Sequence, residues 1–297
     1  PDFDTIYEIP LVLYNQGFDR TVIDRLGIDN NRKHTKINYL ENAIKTYKSP
    51  KHEVTIAMCG KYNSLHDAYK SILEAFIHSG IFNDSKINIK WVDTESLEKD
   101  MDFEKSFNNV DGILIPGGFG DRGIEGKIMS AQYARENNIP FLGICLGMQC
   151  AVIEFARNIC DMKDANSTEF NQEAPFPVID LMHSQKNIKD KGATMRLGKY
   201  SCTISKDTNT YNAYKTTNID ERHRHRYEFN NQYREQLQNL GLSIAGINEK
   251  LDLVEIIEIK NHNWFVGVQF HPELKSRIVK VHPLFEDFIA AAIKYKS

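Results

Sequence analysis

The chain has 297 residues and a net charge of −3, which gives no support for a protein that binds nucleic acid or an anionic membrane through a basic surface. Its five cysteines include no Cys-x-x-Cys pair, so we expect neither a disulfide framework nor a structural metal site, and a reducing compartment suits them. No apolar segment approaches the ~20 residues that cross a bilayer, and no signal-peptide pattern is present, so we expect a soluble, cytoplasmic protein.

The first part of the chain is predicted to lie outside the main domain. An amphipathic helix is predicted near residues 17–26. Residues 28–52, which are rich in Asn, Lys and His, are typical of a linker. We therefore place the start of the main domain at residue 53.

From residue 53 to residue 297, short apolar segments alternate with longer amphipathic ones. Strands are predicted at 53–59, 87–92, 112–115 and 141–144, and helices at 65–79, 124–137 and 146–158. Further strands near 194–204, 242–247, 253–259 and 264–270 precede a C-terminal helix at 283–294. Because strand–helix–strand units join parallel strands through right-handed crossovers, this pattern predicts an α/β domain with a parallel sheet covered on both faces.

A glycine-rich segment, residues 116–126, follows the apolar strand at 112–115. The backbone N–H groups of such a loop can face an anion, so the loop is a candidate oxyanion hole. It lacks the Gly-x-x-x-x-Gly-Lys-Ser/Thr pattern of a phosphate-binding loop. A plain flexible loop is the alternative, which is weakened because strands of this kind end at the ligand edge of a parallel sheet.

The segment at 140–149 places a cysteine at a junction between a strand and a helix. Gly143 and Gly147 lie two residues before and two residues after Cys145, which is the Gly-x-nucleophile-x-Gly spacing of a nucleophile elbow. The positive end of the following helix favours a thiolate at this position. By spacing alone, a small buried hydrophobic cysteine is the alternative.

A histidine and an acid follow the last predicted strand. His271 closes that strand and Glu273 comes two residues later, so in extended backbone both side chains would point the same way. The carboxylate can then orient the imidazole and favour its charged form. Cys145, His271 and Glu273 are therefore candidates for a catalytic triad, with a solvated histidine at a strand end as the alternative for this segment.

Six segments resemble, in the same order, the CTP synthase family within the class I glutamine amidotransferases. They are Pro-Gly-Gly-Phe-Gly-Asp-Arg-Gly-Ile-Glu-Gly-Lys (116–127), Pro-Phe-Leu-Gly-Ile-Cys-Leu-Gly-Met-Gln (140–149), Asp-Ala-Asn-Ser-Thr-Glu-Phe (164–170), Met-Arg-Leu-Gly (195–198), Glu-Arg-His-Arg-His-Arg-Tyr-Glu-Phe-Asn (221–230) and Gly-Val-Gln-Phe-His-Pro-Glu (267–273). The resemblance implies a flavodoxin-like α/β fold, in which a mostly parallel central sheet is flanked by helices and extended by antiparallel strands.

The resemblance also implies a reaction. Cys145, activated by His271, would attack the side-chain amide of L-glutamine and release ammonia, while Glu273 keeps the imidazole oriented. The backbone N–H groups of Gly118 and Leu146 would stabilise the oxyanion.

Three further side chains match substrate-binding positions of the family. Gln149 would contact the substrate, Glu169 would bind its α-amino group, and Arg226 would bind its α-carboxylate. Judged by residue type alone, they would be a polar surface amide, a solvated loop carboxylate and part of a basic edge.

Arginines alternate with histidines at 222–226, so on a strand the three arginines would share one face. Taken alone, the segment favours neither of its other interpretations. It is too local for duplex binding, and no further His or Cys lies at metal-ligand spacing. The resemblance implies instead that Arg222 and Arg224, with Phe119 and Arg122, face the GTP that activates this family.

The resemblance divides the chain into the tail of a synthetase domain (1–27), an interdomain linker (28–52) and a glutamine amidotransferase domain (53–297). ATP, Mg²⁺ and UTP would be used by the rest of the synthetase domain, whose nucleotide-binding loop is not found here. We therefore expect no cofactor in this chain, with L-glutamine and the synthetase domain as partners, a homotetramer for the full-length enzyme, and no nucleic acid or membrane partner.

Two other functions remain open. A catalytically silent regulatory or filament-forming module is disfavoured by the intact triad. A γ-glutamyl hydrolase would share the triad but has no need of the arginine-rich segment. Three positions depart from the family: Leu274 stands where Phe is usual, and Ile278 and His66 stand where Pro is usual. Leu274 adjoins the triad and is expected to loosen the packing behind it.

Overall fold

A computed structural model describes residues 2–28, 37–61, 66–181 and 195–297, and the predicted α/β fold is confirmed. The strands are β1 (His52–Gly60), β2 (Ser85–Asp93), β3 (Gly112–Ile115), β4 (Phe141–Ile144), β5 (Ala165–Ser167), β6 (Phe176–Asp180), β7 (Arg196–Ile204), β8 (Asn218–His225), β9 (Glu228–Phe229), β10 (Leu242–Asn248), β11 (Leu253–Ile259) and β12 (Phe265–Val268). The helices are α1 (Ile9–Asn15), α2 (Phe18–Leu26), α3 (Ile37–Lys48), α4 (Lys70–Phe82), α5 (Thr94–Asp100), α6 (Phe103–Phe107), α7 (Ile124–Glu136), α8 (Leu146–Asn158), α9 (Asn209–Tyr214), α10 (Arg234–Asn239) and α11 (Pro283–Lys296).

Five parallel strands form the centre of the main sheet, in the order β2-β1-β3-β4-β12. The carboxyl ends of parallel strands meet at one edge, where ligands bind in open α/β sheets. The neighbours β3, β4 and β12 lead at that edge into the glycine-rich loop, Cys145 and His271 respectively. The strand order therefore brings together three segments that are far apart in the sequence.

Antiparallel strands extend this sheet. β11 pairs with β12, and β10, β7 and β8 follow, so that the described strands of the main sheet number nine. A second sheet of three short strands has the order β5-β6-β9. The strands of this small sheet were not predicted, because they have only two to five residues and lack a clear apolar alternation.

Apolar side chains cover both faces of the central strands. In β1, Val54, Ile56 and Met58 face a core shared with α4 and α11, whereas Ala57 and Cys59 face a core shared with α7 and α8. This alternation follows from the two-residue period of a strand. The prediction of a sheet covered on both faces is therefore confirmed.

The N-terminal segments pack on the main domain. The predicted amphipathic helix is α2, but α3 lies within the predicted linker and was not predicted. Leu40, Ala43 and Ile44 of α3 are buried, and Tyr39 Oη donates a hydrogen bond to the carbonyl oxygen of Ile278 at 2.6 Å. Residues 29–36 of that linker, residue 65 of a predicted helix and residue 194 of a predicted strand lie outside the described residues.

Candidate active site

Cys145 lies on a sharp turn between β4 and α8, with φ 53° and ψ −102°. A Cβ atom at Gly143 would lie 2.8 Å from the carbonyl carbon of Gly147, and one at Gly147 would overlap the carbonyl oxygen of Ile115. Only glycine fits at both positions. The backbone N–H of Cys145 donates to the carbonyl oxygen of Val268 at 2.6 Å, which ties the turn to β12.

The imidazole of His271 is held by an acid and by the backbone. Its Nδ1 lies 2.7 Å from Glu273 Oε1, and its backbone N–H donates to the carbonyl oxygen of Arg222 at 2.8 Å. The expectation of extended backbone here was wrong, because Pro272–Leu274 form a 3₁₀ turn. This turn places the Glu273 carboxylate beside the imidazole, so the 3₁₀ turn and not an extended backbone brings the two side chains into contact. Leu274 is 38% exposed, and the expected loosening of the packing behind the triad stays a prediction.

The electrostatic environment favours a charged imidazole. Burial disfavours the imidazolium of His271, but the interactions with Cys145 and Glu273 outweigh it and raise the pKa of His271 to about 10. Nδ1 is occupied by Glu273, while the buried Nε2 has no hydrogen-bond partner among the described residues. Nε2 is therefore the nitrogen available to exchange a proton with a ligand beside Cys145.

The glycine-rich loop lies against both residues. A Cβ atom at Gly117 would be 2.8 Å from His271 Cε1 and 3.5 Å from Cys145 Cβ, and one at Gly118 would be 3.4 Å from Leu146 Cδ2. Leu146 is the first residue of α8, where backbone N–H groups have no partner within the helix. The two predicted oxyanion-hole residues are thus neighbours beside the thiol.

Two lysines that the sequence reasoning missed hold this loop in place. The ammonium of Lys127 is buried and donates to the carbonyl oxygen of Gly123 at 3.2 Å, while that of Lys61 donates to the carbonyl oxygen of Phe119. Burial lowers the pKa of Lys127. A lysine at the start of a helix would have indicated only a solvated side chain, so the sequence carried no signal for this contact.

Glu169 lies beside the loop and interacts electrostatically with Arg226. Burial raises the pKa of the Glu169 carboxyl, opposed by a hydrogen bond from the Gly120 N–H at 3.4 Å and by the charges of Arg226 and Lys61. An acid and a guanidinium that interact electrostatically match the two charged groups on the α-carbon of a free amino acid.

Gln149 and a second glutamine lie under the thiol. Gln149 Nε2 donates to the carbonyl oxygen of Tyr227 at 3.0 Å and to Gln269 Oε1 at 3.2 Å, and Gln269 Nε2 lies 3.7 Å from Cys145 Sγ. Gln269 was missed by the sequence reasoning. A polar residue in an otherwise apolar strand segment, two residues before His271, was the available signal.

The arginine-rich segment forms β8, as the alternation suggested. Arg222 and Arg224 are exposed, whereas His223 and His225 are 2% exposed. Burial lowers the pKa of His223 to about 3, so it is neutral at physiological pH. Arg226 lies just beyond the strand and is partly buried.

Two of the four candidate GTP residues line one cavity, and the GTP site itself stays a prediction. Phe119 and Arg224 line a cavity of about 400 Å³ together with His271, and the Arg224 guanidinium lies 5.9 Å from the Phe119 ring centre. Arg122 instead forms an ion pair with Glu95 at 3.4 Å. Arg222 is exposed on the outer face of β8.

The described ranges contain no helix that is both long and apolar enough to cross a bilayer. In the same part of the chain, no three His, Cys, Asp or Glu side chains are grouped as metal ligands would be. All five cysteines of the sequence are buried in described segments, and none forms a disulfide there.

Comparisons with known proteins agree with this geometry. The profile of the family described as Glutamine amidotransferase class-I matches residues 64–291. CTP synthases from Pelodictyon phaeoclathratiforme and Chlorobaculum tepidum are 55% and 54% identical to this chain over 296 residues, which is 99% of this chain and 52% of each relative. The chain therefore spans about half the length of the curated relatives it matches.

One solved structure is similar to this chain in both sequence and fold. The glutaminase domain of Trypanosoma brucei CTPS with bound acivicin is 41% identical to this chain, with a TM-score of 0.77. The match covers 81% of this chain and 94% of that domain.

Proposed function

The chain belongs to the class I glutamine amidotransferase family, and from that premise we propose that it hydrolyses L-glutamine as the glutaminase part of a CTP synthase. The observation that carries this proposal is the arrangement of Cys145 on a strained elbow, next to an imidazole that Glu273 holds at 2.7 Å. A nucleophile, a proton carrier and an orienting acid are the parts of a covalent hydrolase.

In the first half of the reaction, the thiolate of Cys145 adds to the side-chain carbonyl carbon of glutamine. The N–H groups of Gly118 and Leu146 bind the oxyanion that forms. When the oxyanion collapses, the carbon–nitrogen bond breaks and Nε2 of His271 gives its proton to the departing ammonia. The product is a thioester between Cys145 and the glutamyl group.

In the second half, neutral His271 takes a proton from water as the water attacks the thioester. The carbon–sulfur bond breaks, glutamate leaves, and the thiolate and imidazolium are restored. Glu169 and Arg226 bind the α-amino and α-carboxylate groups of the substrate in both halves. Gln149 supports the site beside Gln269, whose amide donates toward the thiol.

For the longer protein that such relatives represent, we propose that the ammonia aminates ATP-activated UTP to give CTP. ATP, Mg²⁺ and UTP would bind in a synthetase domain, to which 1–27 would belong and 28–52 would connect. GTP would activate glutamine hydrolysis near Phe119 and the arginines of β8. We further propose a cytoplasmic homotetramer for that protein.

Only one of the five thiols is placed to react. Burial raises the pKa of Cys59 and Cys150 to about 12 and that of Cys160 to about 11, and burial also raises the pKa of Cys202. These four thiols stay protonated and unreactive near neutral pH. A reagent that needs a thiolate should therefore modify Cys145 alone.

The test is mass spectrometry of the protein after exposure to a diazoketone analogue of glutamine, together with ammonia release from glutamine. We expect one adduct, on Cys145, and loss of hydrolysis in Cys145→Ala and Cys145→Ser with the fold intact. Cys202→Ala, which removes a buried thiol elsewhere, is the control. If a Cys145 variant kept more than about a tenth of the parent activity, the proposal would be wrong.

A further inference from the structure

The Met-Arg-Leu-Gly segment at 195–198 carries part of the family resemblance but has no role in the reaction described above. Its arginine, Arg196, is 4% exposed and lies at the start of β7. A buried guanidinium is costly unless its charge and hydrogen bonds are matched, so its partners indicate what it holds together.

Arg196 joins the two sheets. Its Nη2 donates to Glu255 Oε1 on β11 at 2.7 Å, and its Nη1 donates to Glu228 Oε1 on β9 at 3.1 Å. Glu255 and Glu228 are 0% and 2% exposed. β11 belongs to the main sheet and β9 to the small sheet, so one guanidinium spans the boundary between them.

The small sheet lies next to both groups that are proposed to bind the α-amino and α-carboxylate groups of glutamine. Glu169 lies two residues after β5 and Arg226 lies two residues before β9. β5, β6 and β9 are hydrogen-bonded neighbours, so Glu169 is held by this unit. Arg226 lies in the two-residue connection between β8 of the main sheet and β9 of the small sheet, so its position depends on both. Cys145 and His271 follow strands of the main sheet and have no strand of the small sheet beside them in the sequence.

The partner of Arg196 in the main sheet is connected to the thiol. The carbonyl oxygen of Glu255 accepts the backbone N–H of Gln269 at 2.9 Å, and the side chain of Gln269 donates toward Cys145 Sγ. The Glu228–Arg196–Glu255 ion pairs thus form a tie that connects the part of the site near Glu169 and Arg226 to the part that holds Cys145.

We propose that Arg196 is a positioning residue that sets the distance between the small sheet, which holds Glu169 and borders Arg226, and the thiol of Cys145. This inference rests on the proposed function, since it assumes that the small sheet binds the α-amino and α-carboxylate groups of glutamine. A substrate anchored at its α-carbon reaches the thiol correctly only if that distance is fixed.

The most specific substitution breaks only the Arg196–Glu228 ion pair, on the small-sheet side of the tie. Glu228→Leu removes the partner on β9 and leaves the Arg196–Glu255 pair within the main sheet. Glu228→Gln keeps an oxygen acceptor for Arg196 and should restore function. Glutamine has the same length and shape as glutamate, and burial raises the pKa of the Glu228 carboxyl, so the neutral amide is a conservative replacement here.

Three measurements on the purified chain separate positioning from general damage. In Glu228→Leu we expect the KM for L-glutamine to rise at least about tenfold with kcat within about threefold. The preference for L-glutamine over its α-amide should fall, because Arg226 no longer meets the α-carboxylate. Alkylation of Cys145 by iodoacetamide, which has no α-groups, should keep its parent rate. Glu228→Gln should stay within about threefold of the parent KM.

A matched control loses a buried acid elsewhere. Glu154 is 0% exposed and pairs with Arg135 at 2.7 Å. Glu154→Leu should lower the melting temperature but leave the preference for glutamine over its α-amide unchanged. If Glu228→Leu does not fold, Glu228→Asp shortens the tie by one methylene and should raise KM at least about threefold.

An unchanged KM and an unchanged preference for glutamine in a folded Glu228→Leu or Glu228→Asp protein would overturn the inference. So would equal effects of Glu228→Leu and Glu154→Leu on that preference. The failure of the proposed function has a different signature. In that case the parent itself would not hydrolyse glutamine and would not react with the diazoketone, and the inference would fall with it.

Discussion

Replacing Gly117 by alanine should move His271 out of line with Cys145. The added Cβ would lie 2.8 Å from His271 Cε1, whereas carbon atoms pack at about 3.5–4.0 Å. The imidazole must therefore shift by about 0.7 Å or more. Neither Gly117 nor Gly118 has a positive φ, so alanine introduces no backbone strain at either position.

Gly117→Ala should affect the catalytic rate more than the stability of the fold. The atom that the new methyl meets is at the tip of a side chain, which can yield, so we expect a loss of stability of no more than about 1–3 kcal/mol. A displacement of about 1 Å at a catalytic group costs roughly a hundredfold in rate. We therefore expect Gly117→Ala to lower kcat for glutamine hydrolysis about a hundredfold.

The neighbouring glycine provides the comparison. At Gly118 the nearest atom to an added Cβ is Leu146 Cδ2 at 3.4 Å, and alanine keeps the backbone N–H. Gly118→Ala should therefore reduce kcat by no more than about fivefold. Ammonia release at saturating glutamine measures kcat, and thermal unfolding reports stability. The reasoning is refuted if folded Gly117→Ala retains activity within about threefold of the parent, or if the two variants lose equally.

Three other predictions follow from the site. If Glu273 orients the imidazole and does not transfer protons, as we propose, Glu273→Gln should reduce kcat less than His271→Ala. An equal or larger loss would contradict that division of roles. The pKa of His271 rises from 6.5 to about 10 in the folded protein, so its contribution to stability is complete below about pH 6.5 and is lost as the pH rises through about 10. Hydrolysis should fall over the same alkaline range, and a pH–rate profile of Glu273→Gln should show that fall at lower pH, because one cause of the raised pKa is gone. Finally, we propose that the ATP and UTP sites lie outside this chain. We expect this chain to hydrolyse glutamine slowly, and ATP, UTP and GTP together should then increase that rate only slightly. Tenfold stimulation of ammonia release, or any CTP formed, would refute this.

Local sequence was enough to predict the nucleophile elbow and the central strands. Gly143, Cys145 and Gly147 lie within five residues, and the sterics of that turn depend on those residues and a neighbouring strand. The buried central strands are continuous apolar segments, which are the strongest sequence signal for a parallel sheet. The α/β fold was therefore predicted correctly before any contact was known.

Most structural features that the sequence did not predict correctly have weak local sequence signals. Helix α3 was taken for part of a linker because its polar composition hides the three apolar residues that it buries, Leu40, Ala43 and Ile44. The orientation of Glu273 was predicted from extended backbone, but a 3₁₀ turn supplies it. In both cases tertiary packing overrode the local pattern.

By itself, the sequence determined which side chains are candidates for catalysis, since a strand end, a helix start and a glycine-rich loop can each be recognised from adjacent residues. Only the tertiary structure decided which of them meet. Arg196 and Glu255 are 59 residues apart, and Gln269 and Cys145 are 124 residues apart. Such contacts depend on the order of strands in the sheet and on the need of a buried charge or amide for a partner. No local pattern encodes the identity of that partner, because the strand order that brings the two residues together exists only in the folded protein.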